Sequence, residues 1–295
     1  MLIRHLDFFV TLADEQHFGR AAALCGVSQP ALSLAIRKLE EDLGTTLILR
    51  GQRFMGLTAE GQKVLQWGRQ ILADYGHLRD DLMGRRKGGL TGRLRLGVVA
   101  SAMPLVPQIS ALFETRNPLA RIAISLLPAP EIAGAIGRFD IDGAVSETDG
   151  RPVPGLRALP LGPQKLIFAC PSGHPFADDP TITWREAITQ PLCSVDGAIA
   201  AHLDARQVAA SIACATLDGV LAHLRLGQWC ALVPECFAAL LAPDDDIILR
   251  EIAGGGLRLA HAVLLPQRDP PSPMVNALAD CIAALGDGVA GQGTP

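Results

Sequence analysis

The sequence predicts an α/β protein with a small, mainly α head, one long connecting helix and a larger C-terminal α/β part. Three observations predict it. Residues 18–33 read as two short helices joined by a tight turn, the second offering a polar edge. Residues 59–86 carry interleaved heptads. From Leu94 onward, short apolar runs alternate with stretches of helical periodicity.

The first helix is predicted from about Ile3 to Ala13, with Leu6, Phe9, Val10 and Ala13 as its core stripe. The second, near Gly19 to Cys25, uses Ala21, Ala22 and Ala23 for close approach, and Gly26 supplies the turn. Ser28 is a good N-cap and Pro30 sits in the first turn, where a missing N–H costs nothing. Leu32, Ile36, Leu39 and Leu43 mark the buried side of the third helix, Gln29, Ser33, Arg37 and Lys38 its other side, and Gly44 its end. A helix of this kind is sized for the DNA major groove. Thr46–Leu49, a tip at Gly51–Phe54, and Leu57–Thr58 suggest a short hairpin, or wing.

Thr58 is placed to cap a long helix over 59–86. In it Val64, Ile71 and Leu78 repeat by seven, as do Gly68, Tyr75 and Leu82, which fits a coiled-coil dimer seam with a thin spot at Gly68. A helix packed on its own domain is the alternative. Residues 88–92 read as a hinge. Strands are expected at 94–100, 122–127, 142–145, 165–170, 192–195, 230–233 and 257–265. Helices are expected at 105–115, 131–138 and 274–285. This alternation implies a parallel sheet with right-handed crossovers. The tail from Gly286 is Gly-rich and expected to fray.

Composition narrows the function. The chain of 295 residues is 49% hydrophobic, enough for more than one core. No stretch is apolar over the roughly 20 residues of a membrane span, and the start meets Arg4 at once, so a cytoplasmic location without a membrane partner is expected. The net charge of −4 divides unevenly. Residues 1–90 hold 12 Lys/Arg against 10 Asp/Glu, hence +2, and the rest 14 against 20, hence −6. The seven cysteines form no C-x-x-C and read as buried reduced thiols. The histidines have no metal-ligand spacing, so neither metal nor cofactor is expected. No Walker loop, nucleophile elbow or zinc spacing points to an enzyme, and Ser101, His174 and Asp196 match no triad signature.

Ala21-Ala22, Val27 to Ser33, Ile36 to Gly44, and Leu57-Thr58-x-x-Gly61 together resemble the N-terminal region of LysR-type transcriptional regulators. The resemblance covers essentially the whole chain, strongly over 1–65 and diffusely beyond. It implies a winged helix-turn-helix (1–58), a dimerising linker helix (59–88), a hinge (89–92), an effector domain (93–288) and a flexible tail (289–295). The effector domain is expected to be two-lobed, like type 2 periplasmic binding proteins, with crossings near Leu161–Gln164 and Leu265–Arg268. Lobe one is then 93–162 plus 267–288, and lobe two 163–266.

By the same resemblance Arg20, Ser28, Gln29, Pro30, Ser33, Leu34, Arg37 and Lys38 stand where these regulators meet DNA, with Arg50 and Arg53 on the wing. Gln29 suits a bidentate pair with adenine, and Arg37 a phosphate or a guanine edge. Leu34 and Gly56 depart from the family pattern, which often has basic residues there; Leu34 could pack on a thymine methyl. Arg20 and Lys38 could equally be solvated charges, and Ser28 is expected to cap as well as contact.

Effector residues are expected at strand C-terminal ends: Ser101, Ala102, Pro128, Ser146, Glu147, Asp196, Gly197 and Thr216. Hydroxyls and helix-start N–H groups suit an anion. Glu147 and Asp196 favour a cation or a hydroxyl donor, and each residue could simply cap a helix. The family expectation is a small metabolite, with a one-carbon anion such as formate or cyanate as the first guess. Promoter DNA, a homodimer or homotetramer seamed by Val64, Ile71, Tyr75, Leu78 and Leu82, and RNA polymerase complete the implied partners.

Overall fold

The computed structural model describes residues 2–49, 54–204, 206, 208, 210–254, 258–268 and 270–290. The chain forms two compact units, Met1–Gly88 and Gly89–Pro295.

In the first unit, α1 (Leu2–Glu15), α2 (Phe18–Leu24) and α3 (Gln29–Leu43) pack around Phe9, Leu12, Ala21, Leu32 and Leu39. His17 caps α2, its Nδ1 accepting from the N–H groups of Gly19 and Arg20 at 3.1 and 3.2 Å. Gly26 and Gly44 both adopt positive φ, +64° and +66°, at the turn and at the end of α3. Leu43, expected on the buried side, is exposed. It belongs to the last turn of α3, and neither α1 nor α2 covers it.

The wing begins as an antiparallel bridge between Ile48 and Leu57. Glu40 positions it, its carboxylate accepting from the N–H groups of Leu47 (2.7 Å) and Ile48 (3.3 Å). Thr58 then caps α4 (Ala59–Lys87) by accepting from the Gly61 N–H at 2.9 Å, and donates its hydroxyl to the Thr46 carbonyl at 2.7 Å. Gly61 has a specific reason to lack a side chain: a β-carbon there would collide with the Leu47 carbonyl. An Arg69–Asp14 ion pair ties α4 to α1.

The second unit contains β1 (Gly92–Val98), α5 (Val106–Arg116), β2 (Ala120–Leu126), α6 (Ala129–Gly137), β3 (Gly143–Thr148), β4 (Leu156–Pro171), β5 (Thr181–Thr183) and α7 (Trp184–Ala187). It continues with β6 (Leu192–Val195), α8 (Ala198–Asp204), β7 (Ile212–Cys214), α9 (Leu217–Arg225), β8 (Cys230–Pro234), β9 (Ile247–Ala253), β10 (Arg258–Pro266) and α10 (Pro273–Ala290). A 3-10 turn over Ala100–Leu105 follows β1, and another over Glu235–Leu240 follows β8.

The strands run in the order β2-β1-β3-β10-β4-β8-β6-β7, with β5 and β9 branching from β4. Within each half the pairing is parallel at β1–β2, β1–β3, β6–β7 and β6–β8. The expected parallel sheet is nevertheless corrected to a mixed one. β4 and β10 pair antiparallel with each other and with their neighbours, because both strands run from one half of the unit into the other.

Two apolar cores result, each with its own β-sheet and helices. Leu94, Val98, Phe113, Val145 and Leu278 belong to one, Phe168, Cys193, Leu221, Leu232 and Phe237 to the other. The first crossing lies between Leu161 and Leu166, which pack into different cores. The second lies between Leu259 and Ala262, at a β-bulge after His261, and not at Leu265–Arg268. Ala262–Leu265 fill the first core, which the even apolar run of β10 does not reveal. α10 extends to Ala290, beyond the predicted 285 and into the tail expected from Gly286 (289–295 in the domain division), of which 291–295 lie outside the described residues.

Candidate nucleic-acid interface and ligand cleft

Helix α3 has two chemically distinct sides. Leu32, Ala35, Ile36 and Leu39 fix it to the head core, leaving Ser28, Gln29, Pro30, Leu34, Arg37 and Lys38 exposed and Ser33 half-buried. Ser28 Oγ accepts from the Ala31 N–H at 3.3 Å, so its cap leaves the hydroxyl proton available. Leu34 is 69% exposed, an apolar knob among polar neighbours. Lys38 is bridged to Glu41 (3.4 Å) and Asp42 (3.3 Å) on its own helix, and these carboxylates raise its pKa. Arg20 binds back to the end of α1, through the Glu15 carboxylate at 3.0 Å and the Glu15 carbonyl at 2.6 Å. Arg50 and Arg53 lie outside the described residues.

Helix α4 divides along its length. Val64, Leu65 and Leu72 pack into the head core, and Gly68 faces Leu6 and Val10 of α1, where a β-carbon would approach within about 3.1 Å. The thin spot is therefore an intramolecular contact. Beyond it Ile71, Tyr75, Leu78 and Leu82 are exposed. Trp67, which the heptad reading missed, is 65% exposed and heads the same stripe at i, i+4, i+8, i+11 and i+15. That spacing from Ile71 was the available signal.

In the second unit, four strand ends meet. Ser101, in the turn after β1, is 1% exposed and donates its hydroxyl to Glu147 Oε1 of β3 at 2.6 Å. Its carbonyl lies 3.7 Å from the Cys236 thiol, which follows β8. Gly197, after β6, adopts φ +114°, and a β-carbon there would stand 3.4–3.5 Å from both Glu147 oxygens. Glu147 thus spans from the first core to the backbone of the second.

His261 completes the cluster, and sequence reasoning missed it. It pairs directly with Glu147 across the β3–β10 ladder, and its Nε2 lies 3.2 Å from Ser101 Oγ. The ring is 1% exposed, its Nδ1 has no partner, and burial pushes its pKa down to about 4. A titratable residue interrupting the apolar strand Leu259–Leu265 was the signal.

Ala102 and Ser146 are buried beside this cluster. Asp196 is exposed, its N–H donating to the Cys214 carbonyl at 2.9 Å. Thr216 caps α9 through the Gly219 N–H at 3.2 Å, and Pro128 stands exposed at the start of α6.

Ser101 and His261 have the spacing of a nucleophile and base, but the serine proton is directed to Glu147, and no carboxylate orients the far ring nitrogen. His174 packs between Phe168 and Phe176, within the second core. All seven cysteines are free. Burial pushes the Cys193, Cys230 and Cys236 thiols up to about 12, which suppresses thiolate chemistry. Among the described residues no group of His, Cys, Asp or Glu is placed to hold a metal, and no helix is long and apolar enough to cross a membrane.

Comparison with known proteins assigns both units. Residues 3–62 match the bacterial regulatory helix-turn-helix protein model of the lysR family, and residues 87–286 match the LysR substrate binding domain model. The uncharacterized HTH-type transcriptional regulator YnfL of Escherichia coli is 32% identical over 200 residues, 66% of this chain and 65% of that protein. The chain thus spans just under two thirds of that relative's length. The SDS degradation transcriptional activation protein of a Pseudomonas strain is 32% identical over 285 residues, covering 90% of this chain and 87% of that one.

Two solved structures share the fold. Full-length OxyR from Pseudomonas aeruginosa aligns with a TM-score of 0.72 at 21% identity, covering 96% of this chain and 94% of that one. Full-length CbnR complexed with target DNA aligns at 0.67 and 20% identity, covering 97% and 100%. With a helix-turn-helix at one end and a substrate-binding fold over two thirds of its length, the chain belongs to the LysR family of transcriptional regulators.

Proposed function

We propose that the protein is a ligand-responsive regulator whose α3 reads promoter DNA and whose inter-lobe cleft binds a small-molecule effector. The single observation that carries this reading is the two-sidedness of α3. Its apolar side is consumed by the head core, while Gln29, Leu34 and Arg37 project from the other side without structural duty. An amide suits adenine, a guanidinium suits guanine or phosphate, and a leucine suits the thymine methyl. Arg20 and Lys38 are committed to Glu15, Glu41 and Asp42, so they contribute less. Ser28, Pro30 and Ser33 set the helix start against the backbone, and Arg50 and Arg53 add phosphate contacts from the wing.

Two heads paired through Trp67, Ile71, Tyr75, Leu78 and Leu82 place two recognition helices on half-sites about 34 Å apart. Val64 supports the seam from the head side. Dimers pair further into a tetramer, and effector binding between the lobes changes the distance between head pairs and so the bend in the DNA, by its differential affinity for the two arrangements. The protein works in the cytoplasm beside RNA polymerase and catalyses no reaction. A solute-binding role alone explains the cleft but leaves the exposed side of α3 idle.

The test is a gel shift of the full chain on its own upstream region. Gln29→Ala and Arg37→Ala should each weaken binding by about 1–3 kcal/mol, with Leu43→Ala unchanged. Undiminished binding in both variants contradicts the reading.

A further inference from the structure

Beside the first core of the second unit, the end of β10, the start of β4 and the first turn of α10 enclose a cleft of about 440 Å³. It lies away from the cluster around Ser101. Pro266, on its wall, is five residues along β10 from His261, roughly 17 Å of extended strand. Strand register builds its base. Arg157 stands opposite Leu265, and the Gln267 N–H closes the ladder by donating to the Gly155 carbonyl at 2.9 Å. Pro266, Pro270, Pro271 and Pro273 each fix φ, so the connection from β10 into α10 is stiff. A cleft of this size is in the range of small-molecule sites, and a stiff wall lowers the cost of ordering it around a ligand.

The lining carries charge of one sign. Arg157 and Arg268 both line the cleft, and none of its lining residues is acidic. Arg268 is a fixed cation. Its guanidinium carbon lies 3.7 Å from the centre of the Phe139 ring, and its Nη2 donates to the Ile136 carbonyl at 3.3 Å. Asp140, next to Phe139, is bonded to Arg138 at 2.9 Å. Asp269, the chain neighbour of Arg268, lies outside the described residues. The anchor is therefore Arg157, which is exposed and has no carboxylate partner among the described residues.

The rest of the wall is Pro266, Pro271 and Val275, with the exposed Asn276 at the rim. A guanidinium fork takes both oxygens of a carboxylate, and an apolar wall beside it takes carbon. We infer that this cleft binds a small organic carboxylate, its oxygens on Arg157 and its apolar body against Pro266, Pro271 and Val275. The stacked charge of Arg268 favours the same anion without leaving Phe139. Binding here does not depend on what the inter-lobe cleft holds.

The experiment titrates the full chain with sodium pentanoate and sodium cyclohexanecarboxylate at constant ionic strength, with sodium phosphate and pentylammonium chloride alongside. Binding is read by calorimetry. At least one carboxylate should bind, more tightly than phosphate, and pentylammonium should not. Arg157→Gln, at an exposed position, should weaken that binding at least about tenfold. Asn276→Asp separates ligand repulsion from damage to the fold. A carboxylate in the first turn of α10 favours the helix, so the thermal midpoint should hold or rise while binding weakens at least about threefold. Asp196→Asn, on the side of the other core, should bind as wild type does. Binding by neither carboxylate overturns the inference, as does phosphate binding equally tightly (an adventitious ion only) or pentylammonium binding equally well. Equal affinity in Arg157→Gln or Asn276→Asp overturns it too, and so does loss in Asp196→Asn, which moves the ligand to the inter-lobe cleft.

Discussion

Glu147 on β3 and His261 on β10 stand opposite each other in an antiparallel ladder, and a single serine hydroxyl lies within hydrogen-bonding distance of both. The register puts both side chains on one face, and that face lies where the chain crosses between the two cores. One consequence concerns pH. His261 is neutral in the folded protein down to about pH 4, whereas an exposed histidine takes a proton near 6.5. Between these values the unfolded chain binds a proton that the native state refuses, so stability falls as pH drops from 6.5 towards 4, by up to about 3 kcal/mol. Above 6.5 the contribution is complete and constant. Urea unfolding followed through Trp184 and Trp229 between pH 4.5 and 7 should show this slope, and His261→Gln should flatten it. An unchanged slope in the variant contradicts the assignment.

The close approach of Gly61 to the Leu47 carbonyl makes a sharper prediction for the head. Gly61→Ala must push α4 away from the wing, and overpacking of this kind costs about 1–3 kcal/mol. Thermal unfolding of the variant should show an earlier transition of the first unit with the second unit unaffected. A midpoint equal to wild type means the wing yields freely.

The exposed stripe on α4 predicts how the chain associates. Leu78→Asp and Ile71→Asp introduce a charge where an apolar seam is proposed, at a cost of about 3 kcal/mol, or roughly a hundredfold in dissociation constant. Sedimentation should find these variants dissociating at concentrations where wild type stays paired. Asp introduced at Gln62, also exposed on α4, serves as the control. Pairing that survives both seam variants removes the stripe from the interface.

Effector binding is expected to alter the length of the protected DNA more than the affinity for it, because the ligand shifts the geometry of an assembled complex. Footprinting with and without saturating effector measures this. An identical footprint contradicts the coupling.

How much was legible in the sequence varied along the chain for physical reasons. The head was read nearly residue by residue. Ser28, Pro30, Gly44 and Thr58 each act within one turn of backbone, and such local chemistry is carried by the residues themselves. Trp67 and Gly68 were misjudged because a heptad count does not say which partner, α1 or a second chain, lies against each turn.

In the second unit the strands with strong apolar runs were found, whereas β5, β7, β9 and the first nine residues of β4 were not. β5 and β9 alternate or mix polar residues, and the start of β4 gains its extended form from pairing with β10 rather than from its own composition. His261 gave only the local signal of a titratable residue in an apolar strand, which does not say what it faces. Its importance comes from register with Glu147, more than a hundred residues earlier in the chain, and no local pattern encodes that.

The central claim is that side chains on the exposed side of α3 read base edges. The most direct measurement is selection of binding sites from random duplexes by wild type and by Gln29→Ala. Wild type should enrich paired half-sites, and Gln29→Ala should lose preference at one symmetry-related position in each half while keeping the rest. An enriched sequence identical for the two proteins, or none for wild type, contradicts the account.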